Sequence, residues 1–189
     1  WTMYETNFHK AATAQDAAAI LTKSDDGKIL AGGQTLIPTM KQRLAAPSDL
    51  IDLSQVSALR GVTITKRKKM GIMKAEGGET ITIGAMTTHS EVAGDVELVK
   101  VCPVICGLAG NIGDPAVRHR GTIGGSVANN DPAADYPAAL LALGATIHTN
   151  TREIAAADYF TGMFATALTD DEIYAFAFHL KHNVLGVAT

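Results

Sequence analysis

The sequence predicts an α+β fold built in two parts, and two changes of pattern carry that reading. Up to about residue 53, helical stretches alternate with short apolar strands, as in a small α/β unit. From Gly61 the pattern turns to β-branched runs such as Val62-Thr63-Ile64 and Thr80-Ile81-Thr82-Ile83, which read as a strand meander. The 16 Lys+Arg against 19 Asp+Glu leave a formal charge of −3, and 47% of residues are hydrophobic, which excludes a disordered chain and offers no basic excess for nucleic acid. A boundary between residues 56 and 60 divides an N-terminal part, 1–57, from a second part, 58–189.

In the first part, Thr13 with Asp16 resembles a capping box ahead of an Ala-rich run that Asp25-Asp26-Gly27 closes, so a helix is expected over 13–24. Residues 28–31 read as a strand. Gly32-Gly33 follows, and then Leu36, Ile37, Met40 and Leu44 recur at helical spacing, with Pro38 tolerable only in a first turn. Residues 50–53 form the next expected strand.

In the second part, strands are expected at 62–64, 70–75 and 80–83, with Gly77-Gly78 before the last of these and the basic run at 66–69 as a solvated turn. Thr88 is suited to cap a short helix through Glu91, and further helices are expected over 103–109 and 134–143, the latter with Pro137 in its first turn and Gly144 past its end. The second glycine pair, Gly124-Gly125, is read in a strand-to-helix region. Residues 172–180 alternate Tyr174, Phe176 and Phe178 with smaller apolar residues, as a buried strand does.

Cys102 and Cys106, four apart, continue the apolar stripe of Val101, Ile105 and Leu108 and are assigned to the core. Two cysteines do not supply the ligands of a zinc site or an iron–sulfur cluster. Asp170-Asp171-Glu172 reads as a solvated turn. The start, Trp1-Thr2-Met3-Tyr4, lacks the basic flank and apolar core of a signal peptide, so a cytoplasmic location is expected.

The two glycine pairs are the most informative features. Glycine lets backbone approach a ligand closely, and a following helix end supplies unpaired N–H groups with partial positive charge. Neither pair matches the dinucleotide fingerprint or the Walker loop. With hydroxyl or amide neighbours (Gln34 and Thr35; Thr122 and Ser126), two such loops can clamp a diphosphate from both sides.

Three motifs, Ala31-Gly-Gly-Gln-Thr-Leu-Ile-Pro-Thr-Met-Lys41, Ile83-Gly-Ala-Met-Thr-Thr-His89 and Arg120-Gly-Thr-Ile-Gly-Gly-Ser-Val-Ala-Asn-Asn-Asp-Pro-Ala-Ala-Asp135, resemble the FAD-binding medium subunit of the molybdenum hydroxylases, the family of xanthine, aldehyde and carbon monoxide dehydrogenases. The resemblance implies a two-part FAD-binding domain of the vanillyl-alcohol oxidase and p-cresol methylhydroxylase type. The family's usual C-terminal domain, which partly covers the flavin, is not in this sequence, as expected of either a fragment or a shortened member.

By the same resemblance, the loop Leu30, Ala31, Gly32, Gly33, Gln34, Thr35, Leu36 and Ile37 would hold the diphosphate, and Thr122, Gly124, Gly125 and Ser126 would complete the contacts. Asp135 would bind on the ribityl or adenosine side. Ile112 and Gly113 would line the flavin, and Ile173 would pack near the ring. Thr87 and His89 come with the middle motif, where His89 reads equally well as a helix-start residue satisfied by backbone.

The implied role is an electron-transfer subunit. A large molybdenum-binding partner subunit would oxidise the substrate at its molybdenum cofactor, a small partner would carry [2Fe-2S] clusters, and FAD on this chain would pass electrons to an external acceptor. The assembly would be a heterotrimer or a dimer of heterotrimers, meeting a membrane only through other subunits. The rival readings are a stand-alone FAD-dependent oxidase or dehydrogenase and a docking subunit that has lost its flavin.

Overall fold

A computed structural model describes residues 4–66, 79–169, 172 and 176–182. The first part alternates strand and helix: β1 (Asn7–Lys10), α1 (Ala14–Lys23), β2 (Gly27–Leu30), α2 (Leu36–Lys41) and β3 (Asp49–Asp52). β3 lies between β1 and β2 and pairs parallel with both. As the central strand it is the most buried of the three, and Ile51 is fully buried. Thr13 caps α1 by accepting from the Asp16 amide, and the Asp16 carboxylate returns the bond one residue early, to the Ala12 amide.

The expected helical stripe of the second helix extends too far. α2 stops at Lys41, because Arg43 takes φ +62° and the Leu44 amide folds back onto the Thr39 carbonyl. Leu44 is left 75% exposed instead of joining Met40 in the core.

A short 3-10 turn, Ser57–Leu59, leads into β4 (Val62–Lys66) and β5 (Glu79–Ile83), whose burial alternates so that Ile81 and Ile83 point inward. The expected strand at 70–75, the Gly77-Gly78 pair, most of the basic run and Ile173 lie outside the described residues. Six short helices follow: α3 (His89–Gly94), α4 (Val96–Val101), α5 (Pro103–Asn111), α6 (Pro115–Arg120), α7 (Ile123–Asn129) and α8 (Tyr136–Ala142). They are short because the sequence restarts the helix repeatedly. Thr88, Asp95, Asp114 and Thr122 each cap a new first turn with a side-chain oxygen, and Pro103, Pro115 and Pro137 sit in first turns.

β6 (Thr146–His148), β7 (Glu153–Ala155), α9 (Ala156–Tyr159), the hairpin β8 (Phe160–Gly162) and β9 (Ala165–Thr166), and β10 (Phe176–His182) complete the described chain. β10 inserts between β5 and β6, antiparallel to both, and the sheet runs β4-β5-β10-β6-β7.

Two hydrophobic clusters result. A smaller one gathers Ala17, Ile51, Leu53, Val56 and Leu59 with Met86 from the second part. A larger one packs the helical layer on the antiparallel sheet through Ile81, Ile83, Leu98, Ile105, Ile123, Leu140 and Ile147. Cys102 and Cys106 are buried in this larger cluster, where burial pushes both thiols up from their ordinary pKa.

Candidate functional site

The loop leaving β2 turns through Gly33, which has φ +72°. Gly32 is demanded by contact, since a Cβ there would lie 2.2 Å from the Arg120 carbonyl oxygen. The first glycine loop therefore rests directly on the turn between α6 and α7. The backbone amides of Gly32, Gly33, Gln34, Thr35 and Leu36 find no acceptor among the described residues, and the first amide bonded back belongs to Ile37, which donates to Gly33 at 3.2 Å. Five consecutive unpaired N–H groups on a turn that includes a left-handed residue make a cradle for an anion.

The second glycine pair is organised differently from its expected strand-to-helix setting. It lies inside α7 and is preceded by α6, because Asp114 and Pro115 start a helix ahead of it. Its first amides are already committed: Ile123 donates to the Thr87 carbonyl, Gly124 to the Ala85 carbonyl and Gly125 to the Thr122 hydroxyl. Gly124 is needed for packing, since a Cβ there would lie 2.6 Å from Ala85. What this loop presents to a ligand is chiefly its close-fitting backbone and the Thr122 and Ser126 hydroxyls.

Between the two loops lies a cleft of about 840 Å³, within the roughly 300–1,000 Å³ range of small-molecule and cofactor sites. Leu30, Ala31, Gly32, Gly33, Gln34, Thr35 and Leu36 line one side; Thr122, Gly124, Gly125 and Ser126 line another; Ile112, Gly113, Asp135 and His89 also face it. Two expected members do not. Ile37 packs behind Gly33, and Thr87 is buried as a brace, its hydroxyl accepting from the Gly61 amide and donating to the Gly61 carbonyl.

Asp135 precedes α8 without capping it, and among the described residues nothing donates to its carboxylate, which can accept from hydroxyl groups. Leu53, Met86, Leu108, Leu168 and Ile112 supply apolar lining. Among the described residues the cationic side chain on the wall is Lys28, which pairs with Asp26 at 3.1 Å, whereas Asp131, Asp135 and Glu172 are anionic. A bound anion is thus met mainly by backbone dipoles, a feature that charge patterning in the sequence does not display.

His89 begins α3 and is 4% exposed. Its amide donates to the Gly121 carbonyl, its Nδ1 lies 3.1 Å from the Tyr136 hydroxyl, and the two rings stack at 5.5 Å. Burial lowers its pKa to about 4, so the imidazole is neutral at pH 7. Both expected descriptions of His89 apply: it is a helix-start residue, and it faces the cleft.

Of the acidic trio read as a solvated turn, Asp170 and Asp171 lie outside the described residues, and Glu172 departs from that reading. It is buried, with Oε1 accepting from Arg152 Nε at 2.7 Å and from the Thr151 hydroxyl at 2.6 Å, and Oε2 accepting from Arg152 Nη2 and the Thr169 amide. The Arg152 guanidinium foremost, with these other donors, holds its carboxyl down at about pKa 2. The sequence carries no signal for this, because Arg152 is twenty positions away and on an otherwise ordinary turn. Lys28, Asn129 and Asp131 are further wall residues that the motif reading did not single out.

A cradle of backbone amides, a carboxylate free for hydroxyl groups and an apolar lining match the diphosphate, polyol and aromatic ring of a flavin dinucleotide, and define a dinucleotide-binding domain. The chain belongs to the family described as the FAD binding domain in molybdopterin dehydrogenase, which matches residues 4–175. It is 38% identical over 172 residues to the carbon monoxide dehydrogenase medium chain of Afipia carboxidovorans, covering 88% of this chain and 56% of that one. It is 36% identical over 166 residues to the nicotine 6-hydroxylase medium subunit of Paenarthrobacter nicotinovorans, covering 86% and 54%.

Among solved structures, the cyanide-inactivated form of Cu,Mo-CO dehydrogenase superposes with a TM-score of 0.82 at 35% identity, over 96% of this chain and 60% of that chain. The α+β FAD-binding fold expected from the sequence is the one found. The chain spans about half the length of the curated relatives it matches.

Proposed function

We propose that this chain binds FAD in the cleft between its glycine loops and serves as the electron-transfer subunit of a molybdenum-containing hydroxylase or dehydrogenase. The observation that carries the reading is the run of unpaired amides from Gly32 to Leu36 opening onto a cleft of cofactor size. Parts 1–57 and 58–189 form the two halves that meet at it. The first-loop amides hold the diphosphate, with the Thr122 and Ser126 hydroxyls completing its contacts. Asp135 accepts from sugar or ribityl hydroxyls, and Ile112 and Gly113 line the ring. Bound FAD supplies the exchange between single electrons and electron pairs. The chain's own task is to position that group and keep water from its buried side. A large subunit with a molybdenum cofactor and a small subunit with [2Fe-2S] clusters are the proposed partners.

The test is an absorption spectrum of the native purified assembly, acid release and chromatography of its flavin, and Mo and Fe analysis of the same sample. FAD together with Mo and Fe is expected. FAD without metals would point to a stand-alone flavoenzyme, and no flavin would point to a docking subunit.

A further inference from the structure

His89 and Tyr136 are 47 positions apart in sequence and face each other in the cleft wall, 4% and 2% exposed. The Tyr136 hydroxyl has one partner among the described residues, His89 Nδ1 at 3.1 Å. A buried hydroxyl that donates to nothing forfeits the energy of a hydrogen bond, and burial keeps this phenol protonated by raising its pKa. The O–H therefore donates to Nδ1. A neutral imidazole that accepts at Nδ1 carries its proton on Nε2.

No described residue accepts from Nε2. Its position relative to the loops is set by Gly121. A Cβ on Gly121 would lie 2.8 Å from Nε2, and a Cβ on Gly32 would lie 2.7 Å from the Gly121 Cα. One glycine thus separates the imidazole from the start of the unpaired amide run.

We propose that His89, held by Tyr136 as its Nε2–H tautomer, is a neutral hydrogen-bond donor to the diphosphate of the dinucleotide in this cleft. The proposal rests on the reading of the cleft as the FAD site. The donor completes a cradle otherwise made of backbone amides, and it does so without bringing a titrating charge into the buried wall. Tyr136 is a positioning residue that acts through the tautomer.

The test uses the full chain labelled with ¹⁵N. Long-range proton–nitrogen spectra of the imidazole should show Nδ1 unprotonated and Nε2 protonated, and the Nε2 signal should move when FAD or saturating ADP is added. Tyr136→Phe should yield a mixture of tautomers. His89→Leu should weaken FAD binding by about tenfold or more, the size of a lost bond to a charged group, while His89→Gln, which places an N–H near the same point, should stay within about threefold of the parent.

A proton found on Nδ1, an Nε2 signal that ignores ADP, or unchanged FAD affinity in a folded His89→Leu would overturn the proposal. If His89→Leu does not fold, the spectra of the unaltered chain decide. Failure of the unaltered chain to bind FAD at all would instead overturn the reading of the cleft.

Discussion

Gly32 and His89 show how much one residue can decide in this domain. A methyl group on Gly32 would be driven to 2.2 Å from the Arg120 carbonyl, and backbone on both sides leaves little room to yield. Gly32→Ala is expected to lower the unfolding free energy by about 1–3 kcal/mol, as overpacking does, and to reduce FAD retention with it. Urea denaturation and a flavin count on the same preparation check both effects. His89 has a folded pKa of about 4 against an ordinary 6.5, so the unfolded chain binds the extra proton between those values. Its stabilising contribution is complete above pH 6.5 and is lost as pH falls toward 4, with a slope approaching about 1.4 kcal/mol per pH unit. Urea midpoints from pH 7 to 4.5 should fall for the unaltered chain and less steeply for His89→Leu.

At the scale of elements, Glu172 ties the segment before β10 to the turn between β6 and β7 through Arg152, Thr149 and Thr151. Glu172→Gln keeps the shape but removes the charge that Arg152 answers. A loss of about 1.5–3 kcal/mol is expected, the range for hydrogen bonds to a charged group. Because the folded carboxyl titrates at about 2 against an ordinary 4.5, this stabilisation is present above pH 4.5 and is lost as pH falls from there toward 2. The Gln variant should show a flatter stability curve across that window, below the one governed by His89. An unaltered curve in Glu172→Gln would show that the ion pair contributes nothing net.

For the whole molecule, β10 is the decisive element, since the last described strand pairs on both sides in the middle of the larger sheet. A chain cut after Glu172 would leave β5 and β6 with open edges and expose the sheet interior. Such a truncation is expected to lose its near-ultraviolet circular dichroism and to aggregate, and retention of both would show that β10 is dispensable. The same architecture explains the cleft, because Met86 packs into the smaller cluster with Ile51 and Leu53 while the carbonyls of Ala85 and Thr87 hold the first amides of α7.

The sequence by itself determined the α+β pattern, the caps at Thr13 and Thr88 and the glycine pairs, because these are written in adjacent residues: a cap, a period, a turn. Only the tertiary structure decided what depends on distant partners. It ended α2 before Leu44, placed Gly124-Gly125 inside a helix with its first amides already bonded, set Thr87 behind the wall, buried Glu172 on Arg152 and joined His89 to Tyr136. Backbone propensity is local, so a sequence pattern can display it. Burial and the pairing of polar groups are fixed only when segments far apart in the chain are packed together.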